Sequence, residues 1–379
     1  MKKTYTINIM CVVLITLNLR ASITSLGPLA SQIIGEYGIS EASFGILTSI
    51  SLVAFGTFSI VAPMFARTKA MFISLILIGI GLFCRSFFGS YMLFVGMGLI
   101  GIGIAILNVL LPVFIKSWFK NVGNVMAIYS FSLSASGVIG VLGHYLLGVL
   151  NLSFVLFSYI VFVVLALIAF IPHIKNNRLS RSKKSNFLEG FRRVLSIKKA
   201  WVITIQVGLQ SAFYYTIVSF LPLFMEAKLG EKVAANLMLL AQVMMLPAAY
   251  FVPRLYNVVK NQTLYVSIVC LLSVVGFVLI IFFDNLYCMI LASFMLGIPM
   301  GGVFGMSLLF IAQKTSKDKV AYLSAMAQSF GYLIASVGPF IFGLLKDFSG
   351  SYLYGEWLLL VLAIIVLFLT KICSETKSI

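Results

Sequence analysis

Acidic side chains are the scarcest chemistry in this chain. Asp and Glu number ten in 379 residues, charged residues of both signs make up 10%, and hydrophobic residues make up 61%. A soluble protein of this length has nowhere to bury so much apolar surface, which excludes the ordinary cytosolic enzyme or binding module. Histidine is almost as rare, with His144 and His173 alone. The five cysteines (Cys11, Cys84, Cys270, Cys288 and Cys373) are scattered and form no CxxC pair. Spaced in this way they read as packing residues, not as metal ligands or disulfide partners. No Ser/His/Asp set, HExxH, carboxylate pair or phosphate-binding glycine loop stands in a usable place. Neither an enzyme active site nor a cofactor is therefore expected.

The 27 Lys and Arg leave a formal charge of +17, which raises the question of a nucleic-acid partner. That partner is excluded by distribution: the basic residues sit in short loops between apolar runs and build no soluble basic face. Such runs, about 18 residues or longer, read as membrane-spanning helices, and the bilayer is the expected partner. They fall at roughly 7–30, 43–65, 70–88, 91–115, 123–149, 152–172, 200–225, 233–252, 262–283, 286–312, 320–345 and 353–372, called runs 1 to 12. Run 1 follows Met1-Lys2-Lys3 but is too long for a signal-peptide core and lacks a small-residue cleavage site, so it reads as an uncleaved first helix.

Orientation follows from Lys and Arg. With the N-terminus inside, the outer segments hold Lys228, Lys232 and Lys346, with Arg85 near the outer end of run 3. Apart from Arg20, every other basic residue falls inside, and seven acids fall outside: Glu36, Glu41, Glu226, Glu231, Asp284, Asp347 and Glu356. Both termini inside and an even number of runs agree with this bias. The long hydrophilic break at 173–199 is basic and Ser-rich, and it divides the chain into a bundle at 1–172, a linker, and a bundle at 200–379. The halves echo each other weakly. Runs 4 (GIGIAILNVLLP) and 10 (GIPMGGVFGMSLL) are both Gly-rich, and runs 5 and 11 both carry small residues at helical spacing. Small residues let helix backbones approach and slide. Two six-helix halves around a midplane site is the layout of an alternating-access transporter.

No Asp or Glu is read as membrane-embedded, Glu356 being counted with the outer acids. Against that background Arg20 stands out. It lies about 20 Å into run 1 at 1.5 Å per residue, where a charge costs roughly 2.5–3.5 kcal/mol on insertion scales and must face protein or water. Thr16, Arg20, Thr24 and Gly27 share one face of a continuous helix. A cation beside hydroxyls, with no carboxylate partner, predicts an anion site, and the guanidinium fork suits carboxylate-like ligands. The alternative is an arginine that caps backbone carbonyls of a neighbouring helix. Arg85 has three readings: a snorkelling interface residue, a partner for an outer acid such as Glu226, or a gate or ligand contact. The second half offers neutral donors, with Gln206, Gln210 and Tyr214 along run 7, and Ser324, Gln328, Gly331 and Tyr332 along run 11. Asn108 and Pro112 mark run 4, and Gln242 marks run 8. Each amide alone would serve as a helix–helix hydrogen bond; as a set they outline a polar cavity. His144, toward the outer end of run 5, is either packed or a gate contact able to carry a proton.

LNLRASITSLGPL (17–29), GLFCRSFFGS (81–90), NVLLPVFIKSWF (108–119), GLQSAFYYTIVSFLPLF (208–224) and AMAQSFGYLIASVGPFIFGLLKDFSGSY (325–352) resemble, in order, the cyanate and 2-nitroimidazole transporter family of the major facilitator superfamily. The family's Asn-x-Arg pattern falls on Asn18 and Arg20, and its helix 3 arginine on Arg85. The resemblance implies an all-α membrane protein of two pseudo-symmetric six-helix bundles, commonly a monomer, with helices 1, 4, 7 and 10 lining a central path. One segment departs: between runs 2 and 3, APMFARTKA (62–70) lacks the Asp and glycines of the superfamily's signature, so the usual inner-gate charge relay is not expected.

The expectation is a transporter in a bacterial cytoplasmic membrane for a small anionic or polar organic solute, cyanate- or nitro-compound-like. Arg20 would contact the solute together with Thr24, Asn108, Gln210, Tyr214 and Gln328. Arg85, His144, Gln206 and Tyr332 would serve as gate or secondary contacts. One alternative is a multidrug exporter, which calls for a membrane acid; another is a transporter-like sensor that binds without moving its ligand.

Overall fold

The computed structural model describes residues 2–62, 68–174, 184–316 and 319–376. The basic residues Arg67, Lys175, Arg178, Arg181, Lys183, Lys317 and Lys377, and the centre of APMFARTKA, lie outside the described residues. Among the described residues all regular structure is helical, and twelve helices are long and apolar enough to cross a membrane. These spans are Tyr5–Thr24, Glu41–Val61, Thr68–Phe87, Ser90–Trp118, Val122–Leu146, Leu152–His173, Lys198–Leu229, Glu231–Tyr256, Gln262–Phe282, Leu286–Gln313, Val320–Ser349 and Leu353–Glu375, numbered 1 to 12. They match the twelve runs, because bilayer thickness sets the length of each apolar segment. Successive spans run antiparallel, so both termini lie at one end of the protein, the termini end. Spans 1–6 form one six-helix bundle and spans 7–12 the second.

Local chemistry sets the helix starts. Asn121, Asn151, Asn261 and Asn285 cap spans 5, 6, 9 and 10, their side chains accepting from Asn124 N, Phe154 N, Leu264 N and Tyr287 N at 3.4, 3.1, 3.0 and 2.8 Å. Asparagine is favoured there because its side chain satisfies an N–H that the helix leaves unpaired.

Span 1 is not one continuous helix. The α-helix Lys2–Leu17 stops, residues 18–20 form a turn, and a short helix resumes at Ala21–Thr24. The break is held from span 5. Ser136 Oγ donates to Leu17 O at 2.5 Å and accepts from Arg20 N at 3.2 Å and Ala21 N at 2.8 Å. One hydroxyl thus satisfies three backbone groups that the missing turn would leave bare in an apolar interior. Ser136→Ala is expected to cost about 1–3 kcal/mol, the penalty for leaving buried polar groups unpaired. The measurement is the melting temperature of the purified protein, which should fall by several degrees; an unchanged value removes Ser136 as the staple.

At the end opposite the termini the two bundles are sealed together. Asp347 of span 11 accepts from Glu41 N at 3.1 Å and Ala42 N at 2.9 Å, closing the exposed N-terminus of span 2. Tyr352 donates to Glu41 Oε1 at 2.6 Å, Gln32 to Glu231 Oε1 at 2.6 Å, and Tyr145 to Asn236 Oδ1 at 2.5 Å. Burial, and then the bond to Glu41, push the Tyr352 hydroxyl well above the usual tyrosine range, so it stays a donor at neutral pH. Deeper in, Thr48 Oγ1 lies 2.9 Å from Ser219 Oγ, and Ser49 donates to Ser336 O at 2.5 Å.

Glycine permits this approach: a Cβ at Gly343 would fall on the Glu41 carbonyl oxygen, and one at Gly45 on that of Pro339. Gly343→Val should wedge spans 2 and 11 apart at this end. Overpacking against backbone costs about 1–3 kcal/mol, enough to shift a two-state equilibrium about fivefold or more. The readout is labelling of Thr48→Cys by a membrane-impermeant maleimide, in a background with Cys84 and Cys288 replaced by Ser. Labelling should rise with Gly343→Val, and equal labelling would show that the seam does not depend on this contact.

One acid departs from the sequence expectation. Glu356, counted above among the outer acids, is 1% exposed. Lys228 explains it: its Nζ lies 3.5 Å from Glu356 and 3.2 Å from Asp284, and donates to Ile280 O at 2.6 Å. A carboxylate leaves water here because a cation accompanies it.

Candidate functional site

Between the bundles lies a chamber of about 160 Å³. Arg20 stands on its wall at mid-depth. The lining then descends to Ile311, two residues before span 10 ends at Gln313, and to Ser324, four residues into span 11. A second cavity of about 670 Å³ shares Ser130, Ser134 and Ala249 with the chamber and reaches Arg254, two residues from the termini end of span 8. The path therefore opens toward the termini end and is closed by the seam at the other. Spans 1, 4, 7 and 10 line the chamber through Arg20, Asn108, Tyr215 and Phe304, as expected. Spans 5, 8 and 11 also reach it, through Tyr129, Met245 and Gln328.

Arg20 is 8% exposed. Its guanidinium makes no hydrogen bond or ion pair among the described residues and lies over two rings, 5.1 Å from the centroid of Tyr214 and 5.6 Å from that of Phe304. Ring faces attract the cation without neutralising it. The break in span 1 puts it there, since residues 18–20 are released from helical register. Asn18 of the Asn-x-Arg pattern does different work. Its amide donates to Leu14 O at 2.8 Å and Phe162 O at 3.1 Å, tying the turn to span 6. A small annex beside Arg20 is lined by Gln210, Ser211, Tyr214 and Tyr332. Gln210 donates to Pro299 O at 3.3 Å. Among the described residues the Tyr214 hydroxyl is buried without a hydrogen-bond partner, as are both polar atoms of the Gln242 amide. Orphaned buried polar groups are rare in packed interiors.

The structure thus brings together Arg20, Asn108, Gln210, Tyr214, Gln328 and Tyr332. Four expected residues are elsewhere. Thr24 is fully buried, donates to Arg20 O at 3.1 Å and packs against Gly140, so it is not beside the Arg20 side chain in the chamber. The shared face assumed a continuous helix, and the turn at 18–20 destroys that register. Gln206 is bound within its own bundle, donating to Thr370 Oγ1 at 3.1 Å and accepting from Ser307 Oγ at 2.9 Å. Arg85 is completely buried and donates to Ser22 O at 2.5 Å and Leu156 O at 3.0 Å. It neither snorkels nor meets Glu226, because it is buried beside backbone carbonyls of spans 1 and 6 that give its fork partners. His144 packs at the sealed end, with Nδ1 3.1 Å from Pro28 O and 3.9 Å from Glu231 of the other bundle. Sequence reasoning missed Tyr129, Tyr215 and Phe304. With 33 Phe and 16 Tyr in the chain, no spacing singles them out.

Two six-helix bundles about a central chamber belong to a known architecture, and a family model described as Major Facilitator Superfamily matches residues 12–339. The chain belongs to the major facilitator superfamily. It is 30% identical over 350 residues to the 2-nitroimidazole transporter of Escherichia coli (strain K12), covering 90% of this chain and 88% of that one. It is 25% identical over 363 residues to the cyanate transport protein CynX of the same organism, covering 92% of each. In fold it is similar to a bacterial homologue of the human lysosomal transporter Spinster, with a TM-score of 0.78 at 16% identity, covering 98% of this chain and 97% of that one. This major facilitator is a multi-pass membrane transporter and not an enzyme.

Proposed function

We propose that this transporter moves a small anionic or polar organic solute, cyanate- or nitro-compound-like, across a bacterial cytoplasmic membrane by alternating access. Arg20 is its central cationic contact. One observation carries the reading: a guanidinium that faces the chamber with no hydrogen bond or counter-ion among the described residues. The bias of Lys and Arg toward the termini end supports cytoplasmic termini. The two Escherichia coli relatives are named for 2-nitroimidazole and cyanate. A nitro group offers the guanidinium fork two coplanar oxygens, and cyanate offers it a negative charge.

The rocking bodies are residues 1–172 and 200–379, joined by 173–199, in a protein that works as a monomer. Arg20 belongs to the first body, and the rings it leans on, Tyr214 and Phe304, belong to the second. A solute that takes the guanidinium's donors while touching those rings couples binding to the relative position of the halves. Asn108, Gln210 and Gln328 orient it. His144 and Glu231, facing each other across the sealed end, belong to the gate that parts when the chamber opens the other way.

The test is uptake of cyanate and 2-nitroimidazole into proteoliposomes by wild type and Arg20→Gln. Arg20-dependent uptake supports the reading. Binding without counterflow makes the chain a sensor, and efflux of lipophilic cations that ignores Arg20 makes it a multidrug exporter.

A further inference from the structure

Ring and charge requirements follow from how the chamber is built. Its volume, about 160 Å³, is close to that of an engineered apolar cavity of about 150 Å³ that takes up benzene. A three-atom ion would leave most of it unfilled. Tyr129, Tyr215, Tyr332 and Phe304 line the space next to Arg20. Tyr215 stands edge-on to Tyr214, with centroids 5.0 Å apart, and 6.4 Å from Tyr332, so these rings hold one another in place. Aromatic walls favour a flat ring because stacked and edge-to-face contacts need a planar partner. Arg20 is the sole charged residue among the described lining of the chamber and its annex. One positive charge matches one negative charge, and a second carboxylate on the solute would enter a low-dielectric space unpaired.

We propose that the chamber selects a planar, single-ring aromatic monocarboxylate, its carboxylate on the Arg20 fork and its ring among Tyr215, Tyr332 and Phe304. This rests on the anionic reading of the site given above and names the class of solute within it. The other half of the selection is the neutral rim: Asn108 and Gln328 supply hydrogen bonds without adding charge.

The experiment is counterflow of radiolabelled benzoate in proteoliposomes of the full chain, with four competitors that each change one property. Benzamide keeps the ring and loses the charge. Cyclohexanecarboxylate keeps the charge and puckers the ring. Acetate and cyanate keep the charge and have no ring. Benzoate is expected to exchange, with each competitor at least about tenfold weaker than unlabelled benzoate, a difference of about 1.4 kcal/mol. Phe304→Leu combined with Tyr215→Leu should narrow the benzoate-to-acetate ratio about tenfold, a readout that simple damage to the fold would not move. Arg20→Gln should abolish the preference for benzoate over benzamide.

If acetate or cyanate competes as well as benzoate while remaining Arg20-dependent, the ring requirement is overturned and the anion transporter stands. If benzamide matches benzoate in wild type and Arg20→Gln changes nothing, the anionic reading itself falls. A folded, monodisperse protein that exchanges acetate or cyanate but no benzoate also overturns the ring requirement.

Discussion

Arg20→Gln is expected to lower solute uptake about 10- to 100-fold while the melting temperature stays within a few degrees of wild type. Both halves of that result come from the same geometry. The guanidinium holds no backbone or side-chain partner among the described residues, so its removal orphans nothing. What the fold loses is ring contact with Tyr214 and Phe304, on the order of 0.5–2 kcal/mol, offset in part by no longer burying a charge. The solute loses charge-assisted hydrogen bonds, worth about 1.5–3 kcal/mol, which at 1.4 kcal/mol per tenfold gives the expected drop. Arg20→Lys keeps the charge but not the planar fork or the stacking, and is expected to fall between the two. Initial rates in proteoliposomes with equal amounts of reconstituted protein check this. Wild-type rates in both variants would take Arg20 out of the binding site.

The second arginine behaves in the opposite way. Arg85→Met is expected to destabilise the protein by about 2–4 kcal/mol, since the Leu156 carbonyl loses a donor at about 1–3 kcal/mol and the Ser22 carbonyl, left with Ser25 Oγ at 3.0 Å, loses a bond worth about 1 kcal/mol. Those carbonyls belong to Ser22 in the broken part of span 1 and Leu156 in span 6, so a single side chain pins three spans together. A third contact, from the guanidinium to Met97 Sδ at 3.5 Å, adds span 4. Arg85→Lys rescues little, because one ammonium on a flexible stem does not reproduce a fork aimed at carbonyls on two different spans. Thermal unfolding followed by size-exclusion chromatography is the measurement. Expected are a melting temperature lower by several degrees and a reduced monodisperse yield. Unaltered stability with lost uptake would instead place Arg85 in the transport path.

The contrast between Arg20 and Arg85 shows where linear reading stops. Both are cations in apolar runs without a membrane-embedded acid; the sequence offers Arg85 an outer acid such as Glu226 and offers Arg20 the capping of a neighbouring helix's carbonyls as an alternative. It is Arg85 that caps carbonyls, and Arg20 that faces the chamber. Thr24 fails as a chamber contact for a related reason. Helical spacing is a sound guide only while the helix continues, and span 1 stops at residues 18–20 under a bond from Ser136, whose partner Arg20 N is 116 positions away. Gln206 and Gln210 are one helical turn apart on span 7, yet one is bound inside its bundle and the other reaches the annex. A turn of helix repeats a direction; it does not say which neighbour stands there.

The twelve spans, the two six-helix halves and an embedded cation in the first span were all legible in the linear chain. They depend on a local quantity: the hydropathy of about 20 successive residues against a bilayer of fixed thickness. Which end is sealed, which arginine is free, and that tyrosine and phenylalanine rings wall the chamber came only with the packed structure. Those features arise where residues far apart in sequence meet, as Glu41 meets Asp347 and Arg20 meets Phe304, and aromatic residues are too common along an apolar chain for their spacing to mark the few that face water.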